Sequence, residues 1–259
     1  MDGLRYCTVE DQGRIRIVTI NRPEVANALH SEASHELEAV WSEFAADDGL
    51  WVGIVTGAGE RAFSAGNDLK VQAAGKRGPR PHNGFGGMTH RFDLHKPVIA
   101  AVNGFAMGGG FELALACDLI IAAENAFFAL SEPRVGMMAS GGGIQRLPRM
   151  IPEKQALGII LTGRRVTAEE GRTLGFVNEV VPAGKALEKA VEWANSILEC
   201  SPIAVRASKE AVYSSLDKPT LEEAVRTAYP IHSTLSQTQD YLEGPRAFSE
   251  KRKPVWTNS

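Results

Sequence analysis

Cysteine is scarce in this chain: Cys7, Cys117 and Cys200 are the only three, and no two stand as C-x-x-C. An odd, scattered set provides neither a disulfide framework nor a zinc-ligand pattern, so the expectation is reduced, buried thiols and no metal site. An excess of positive charge is also missing, since 28 Lys and Arg stand against 31 Asp and Glu, leaving −3 overall. Without a basic footprint a nucleic-acid partner is disfavoured. Long apolar runs are absent as well. The opening MDGLRYCTVEDQGRIRIVTI has no apolar stretch behind a basic end, and the most apolar segment, 113–130, is interrupted by Asp118, Glu124 and Asn125. This pattern leads us to expect a cytoplasmic protein with no membrane partner.

Several catalytic signatures are missing too. There is no G-x-x-x-x-G-K-[ST], and the six histidines include no H-E-x-x-H. His82, His90 and His95 fall in or beside a polar loop and are expected to be solvated. Ala139-Ser140-Gly141 lacks the upstream glycine of a G-x-S-x-G elbow, which removes Ser140 as a nucleophile. Gly57-Ala58-Gly59-Glu60-Arg61-Ala62 does fit a G-x-G-x-x-A dinucleotide pattern. The helix that pattern requires is not there, because a further glycine, Gly66, follows at once.

What is present is a chain of 259 residues, 44% of them hydrophobic, with no polar linker. That allows one large domain, or one domain with an appendage. Arg14–Ile20, Trp51–Thr56, Val98–Val102, Leu119–Ala122, Phe127–Leu130 and Gly175–Val181 read as strands. Residues 31–46 place Leu37, Val40, Trp41 and Phe44 at helical spacing behind a Ser31 cap, with Ser34 and His35 exposed. Residues 71–92, rich in glycine, proline and basic side chains, read as a mobile loop. Strands alternating with helices argue for an α/β fold. After Pro182 the pattern turns helical, with amphipathic segments at 186–199, 204–213 and 221–232.

The most informative stretch is 97–146, PVIAAVNGFAMGGGFELALACDLIIAAENAFFALSEPRVGMMASGGGIQR. A buried strand enters a turn at Asn103-Gly104, then Gly108-Gly109-Gly110 leads into the helix former FELALA. Free N–H groups at such a helix start favour a carbonyl oxygen that gains negative charge. Glu112 opens that helix, and a second carboxylate, Glu132, follows in FALSEPRVG. Alone, each has an ordinary explanation: the helix dipole favours Glu112, and a surface turn suits Glu132. Together with an oxyanion stabiliser, they would suit proton transfers next to a carbonyl.

Residues 97–147, with RAFSAGNDLK at 61–70, resemble the paired signatures of the enoyl-CoA hydratase/isomerase (crotonase) family. The likeness runs from NRPEVANAL at 21–29 to AFSEKR near the end, which is nearly the whole chain. It implies a spiral of ββα units over 1–185, carrying the active site, and a helical trimerisation region over 186–259. It places the two catalytic glutamates on Glu112 and Glu132, and the two oxyanion N–H donors on Asn67 and Gly109. The CoA-contacting stretches fall on Val25, Ala26, Ala65, Asp68, Leu69 and Lys70. Phe248 and Lys251 are implied to reach CoA on a neighbouring subunit of a trimer or of a pair of stacked trimers. No cofactor is implied, since coenzyme A is part of the substrate.

The activity implied is reversible addition of water to a 2-enoyl-CoA, giving a 3-hydroxyacyl-CoA. Isomerases of this superfamily commonly lack one of the two carboxylates, so the intact pair favours hydration. An enoyl-CoA isomerase and a noncatalytic acyl-CoA binding subunit are the alternatives. At least one carboxylate would need its pKa raised by burial to serve as a base near neutrality. The chain departs from the family at Asn67, where many hydratases have alanine, and at Met138-Ala139-Ser140, where relatives often carry Pro-Gly. Both departures bear on the pocket and not on the reaction type. Within the family, EGPRAFSEKRKPVW and GGGFELALACD are most similar to carnitinyl-CoA dehydratase-like members, whose acyl chain ends in a trimethylammonium group. Phe85, Phe92 and Asp93 are the candidates for receiving such a cation.

Overall fold

The computed structural model describes residues 3–76 and 78–259; Met1, Asp2 and, inside the expected loop, Arg77 lie outside the described residues. The chain opens with a hairpin, β1 (Cys7–Gln12) and β2 (Ile15–Ile20), and then α1 (Ser31–Ala46). A repeating unit follows. β3 (Val52–Gly57), β4 (Ala62–Ser64) and α2 (Leu69–Ala73) form its first turn. β5 (Val98–Val102), β6 (Phe105–Met107) and α3 (Gly109–Ala116) form the second. β7 (Leu119–Ala123) and β8 (Phe127–Ala129) begin the third, closed by a 3₁₀ turn at Glu132–Val135 and α4 (Gly143–Met150). Each turn gives its first strand to one sheet and its second to another: β1-β2-β3-β5-β7-β10, where β10 is Glu179–Val181, and β4-β6-β8-β9, where β9 is Val166–Thr167. The ββα spiral expected from the resemblance is therefore present, with parallel pairing from β2 to β3, β5 and β7.

Then come α5 (Glu153–Thr162), β9 (Val166–Thr167), α6 (Ala168–Leu174) and β10 (Glu179–Val181). The expected strand from Gly175 begins only at Glu179, because Gly175 caps α6 in the left-handed region at φ 103°. The remaining helices are α7 (Ala186–Leu198), α8 (Pro202–Leu216), α9 (Leu221–Arg226), α10 (Pro230–Leu235) and α11 (Gln239–Ser249). The single helix expected over 221–232 is broken, since Tyr229 precedes a proline and takes extended backbone at φ −81° and ψ 119°. The expected division after residue 185 falls just before α7, which packs back on the large sheet. Its Ala186, Ala190 and Ala194, one turn apart, lie in the same buried cluster as Ile54 and Ile99.

α1 buries Leu37, Val40, Trp41 and Phe44 as its periodicity predicts. Its cap does not follow the expectation. His30 accepts the Ala33 N–H, while the Ser31 hydroxyl is drawn off to the Pro79 carbonyl at 2.6 Å. Ser34 is buried instead of exposed, beneath the Gly86 N–H. Within the expected loop, residues 87–91 are tied down. Arg91 is buried and donates to Gly87 O at 3.0 Å and Ser42 Oγ at 2.8 Å, pinning the segment to α1. His82 and His90 are exposed as expected, while His95 is half-buried, 3.7 Å from a Glu210 carboxylate. Cys7 and Cys117 are buried thiols, but Cys200 is exposed, contrary to expectation. No helix among the described residues is long and apolar enough to cross a membrane.

Candidate active site

β4 runs into Ala65-Gly66-Asn67, and β6 runs into Gly108 at the start of α3. These two chain reversals meet. Gly66 sits at φ 84°, and a Cβ there would come 2.5 Å from Met107 O and 2.8 Å from Gly109 N. Only a residue without a side chain allows that approach. It brings the Asn67 and Gly109 amides to the same place. Neither amide has an acceptor among the described residues, and Gly109, as the first residue of α3, has none within its own helix. Two free N–H groups side by side, one of them at a helix start, suit an oxygen that gains negative charge.

Glu112, one turn further on, is only 5% exposed. Its Oε1 accepts the Gly143 N–H at 2.9 Å, and the Gly141 N–H also favours the charged form of this carboxylate. The start of α4 thus holds Glu112 by its backbone. Burial raises the Glu112 pKa above the ordinary carboxylate range, and those two N–H donors oppose the rise. Glu132 approaches from the other side. It opens the 3₁₀ turn after β8, and a Cβ on Gly108, which lies at φ 53°, would be 2.9 Å from its Oε1. Its Oε2 is buried with no partner among the described residues. Burial, with the nearby Glu112 charge, lifts Glu132 to about 7. Both glutamates therefore line one cleft, with Asn67 and Gly109. The alternative explanations, a dipole-favoured helix start and a surface turn, do not account for a buried and a half-buried carboxylate around one space.

Other expected residues are placed differently. Asp68 lines the cleft, but its carboxylate is engaged, capping α2 through the Val71 N–H and lying 3.3 Å from Arg22. Val25, Ala26, Ala65, Leu69 and Lys70 are outside the lining; Ala65 and Ala26 join the two strips through an N–H···O bond of 2.9 Å. Phe248, 87% exposed, and Lys251 lie at the end of α11 and do not line the cleft within this chain. Of the three cation candidates only Phe85 lines it, with its ring over Gly109. Phe92 is 80% exposed beneath the Arg146 guanidinium, and Asp93 is 3.9 Å from Arg91. Those two are corrections: both are turned to partners outside the cleft.

Sequence reasoning missed Gln72, Arg80 and Arg146. Gln72 accepts from the Asn67 amide group and donates to Met137 Sδ at 3.2 Å. Arg146 donates to Thr89 O at 2.8 Å and reaches Gly141 O at 3.5 Å, bridging the two loops beside Glu112. The i, i+5 step from Asn67 to Gln72 could have suggested the first. Nothing local could have suggested Arg80 or Arg146.

The sequence model of the family described as enoyl-CoA hydratase/isomerase matches residues 10–259. The chain belongs to that family. Carnitinyl-CoA dehydratases of Salmonella typhi and of Escherichia coli strain K12 are each 44% identical to it over 256 residues, spanning 94% of this chain and 95% of theirs. Among solved structures, an enoyl-CoA hydratase from Mycobacterium tuberculosis H37Rv superposes with a TM-score of 0.92 at 38% identity, covering 98% of this chain and 99% of that one. A carnitinyl-CoA hydratase from Mycobacterium avium superposes at 0.79 with 39% identity, covering 99% and 100%. The two-sheet spiral is thus the crotonase fold of that family, and its hydratase members share this architecture over nearly their whole length.

Proposed function

We propose that this chain is a cytoplasmic hydro-lyase that adds water reversibly to a short 2-enoyl-CoA. The observation that carries the reading is a buried and a half-buried carboxylate facing one cleft beside two amides unpartnered among the described residues. The thioester oxygen would accept the Asn67 and Gly109 N–H groups, each worth roughly 3 kcal/mol to the enolate-like transition state. Glu112, held by the Gly143 N–H, takes a proton from water as the hydroxyl adds to C3. Glu132, raised to about 7, holds a proton near neutrality and delivers it to C2. The proton gained by Glu112 matches the one lost by Glu132, and exchange with water resets the pair. Dehydration runs these steps in reverse.

Hydration of crotonyl-CoA in deuterated water tests the reading. The expected product is 3-hydroxybutyryl-CoA with one deuterium at C2; a shifted double bond without added water would establish an isomerase instead. Thioester binding with no turnover would establish a binding subunit.

A second reading, on a substrate tipped by trimethylammonium, is favoured by the 44% identity to carnitinyl-CoA dehydratases. Of its expected cation receivers, Phe85 alone is in place.

The chain would act as a trimer or a pair of trimers, for α8 and α9 leave Val212, Leu216, Leu221 and Val225 exposed. In such an assembly Phe248 and Lys251 would lie against CoA of a neighbour, and Val25, Ala26, Ala65, Asp68, Leu69 and Lys70 against CoA of their own subunit. A monomeric mass at micromolar concentration would refute it.

A further inference from the structure

Beside the two glutamates the cleft is walled by segments 78–81 and 137–140, which play no part in the chemistry above. Arg80 stands there. Its Nη1 lies 3.5 Å from Ser140 Oγ, its only side-chain partner among the described residues. The guanidinium is close enough for its charge to act on Glu112, two elements away. Lys76 adds a second positive charge to the same wall. The negative groups of the cleft are otherwise committed: Asp68 to Arg22 and the α2 cap, Glu112 and Glu132 to the water. Aromatic faces do not offset the charge, since Phe85 covers Gly109 and Phe92 is turned out beneath Arg146.

We propose that Arg80 selects the acyl tip, and that the preferred substrate is a short 2-enoyl-CoA whose chain ends in a carboxylate. The proposal rests on the hydratase reading and names its substrate class. A planar guanidinium with no carboxylate of its own accepts a carboxylate through paired N–H···O bonds, whereas a trimethylammonium tip meets like charge and finds no cage. Because Arg80 is partly in water, the preference is moderate and weakens with added salt.

Three thioesters that share the four-carbon 2-enoyl core test it: crotonyl-CoA, and the two that carry on C4 a carboxylate (glutaconyl-CoA) or a trimethylammonium (crotonobetainyl-CoA). In the unaltered protein, kcat/KM for glutaconyl-CoA should exceed that for crotonyl-CoA by about tenfold, with crotonobetainyl-CoA the poorest. Arg80→Gln should bring the glutaconyl to crotonyl ratio towards one, and Arg80→Glu should invert the order of the two charged substrates. Ratios within one variant cancel any effect of Arg80 on Glu112. If Arg80 instead met a CoA phosphate, all three substrates would fall together, and the proposal would be overturned. A ratio near or below one in the unaltered protein would also overturn it, with hydration itself intact. Failure to hydrate any of the three would remove the hydratase reading and this proposal with it.

Discussion

The floor of the cleft and its far wall are built on different principles. On the floor, the groups that would do chemistry are backbone amides or side chains held by backbone amides: Asn67 N, Gly109 N, and Glu112 against Gly141 and Gly143. Each is fixed by the spiral, because adjacent turns place β4, β6 and β8 side by side. The wall is made of long side chains on connecting segments, Lys76, Arg80 and Met138, all exposed. A reaction that needs donors and acids placed to a fraction of an ångström belongs on the floor. Selection of the acyl group belongs on the wall, where one side chain can change without moving the frame. That contrast predicts steep losses for floor substitutions and shifted ratios for wall substitutions.

The largest effect is expected at the carboxylates. Glu112→Gln and Glu132→Gln should each lower kcat for hydration by about 100-fold or more, with KM changing much less. Near-normal turnover by either folded variant would refute the two-carboxylate mechanism. The pH profile separates their roles. With Glu132 the acid, raised to about 7, hydration should decline above neutrality. The residual activity of Glu132→Gln should lack that limb, while Glu112→Gln should keep it.

The same contrast explains what could be read in the sequence. Strands such as Val98–Val102 are compact β-favouring runs closed by Asn103-Gly104, and their burial is complete. β4 and β6 have three residues each, too few for any periodicity, and their sheet exists only through pairing with other turns. The spiral was therefore visible through family resemblance alone. Glu112 was legible as a carboxylate at a helix start, but not as a buried one facing Glu132, because their meeting depends on β8 lying beside β6. Ser31 misled for the same reason: its hydroxyl is taken by Pro79 O, 48 residues away. Phe92 and Asp93 were near the cleft in sequence, yet Arg146 and Arg91 hold them outside it.

Chemistry on the floor should also cost stability, and this can be measured at Glu132. Its folded-state pKa is raised from 4.5 to about 7, so the fold favours the neutral acid. Stability from this group is complete below about pH 4.5 and is lost as pH rises through about 7. At pH 8 the ionised, partnerless Oε2 is a net penalty of about 1 to 2 kcal/mol, reduced from the full shift by the solvent that reaches the residue. Glu132→Gln should therefore be less active yet more stable than the unaltered protein at pH 8, by roughly 2 to 4 °C in Tm. The difference should shrink towards zero at pH 4.5. An equal Tm difference at both pH values would show that ionisation of Glu132 carries no cost.

The smallest effect is expected at the border between floor and wall. Asn67 would give its backbone N–H to the oxyanion hole, while its side chain donates to Gln72, which in turn donates to Met137 Sδ. The side chain thus ties the floor to the 137–140 wall without touching the reacting atoms. Removing it leaves the amide in place, since the loop is held by Leu29 N–H to Gly66 O at 2.8 Å and Asp68 N–H to Leu29 O at 3.0 Å. Asn67→Ala should then leave kcat for crotonyl-CoA within about threefold and raise KM by a few-fold, as expected for one lost neutral hydrogen bond worth about 1 kcal/mol. Gln72→Ala should do the same, and the double variant should be no worse than either single one, because both break one chain of contacts. If Asn67→Ala lowered kcat as far as the glutamate variants do, the side chain would belong to the catalytic floor, and the division between fixed chemistry and adjustable selection would have to be drawn on the other side of Gln72.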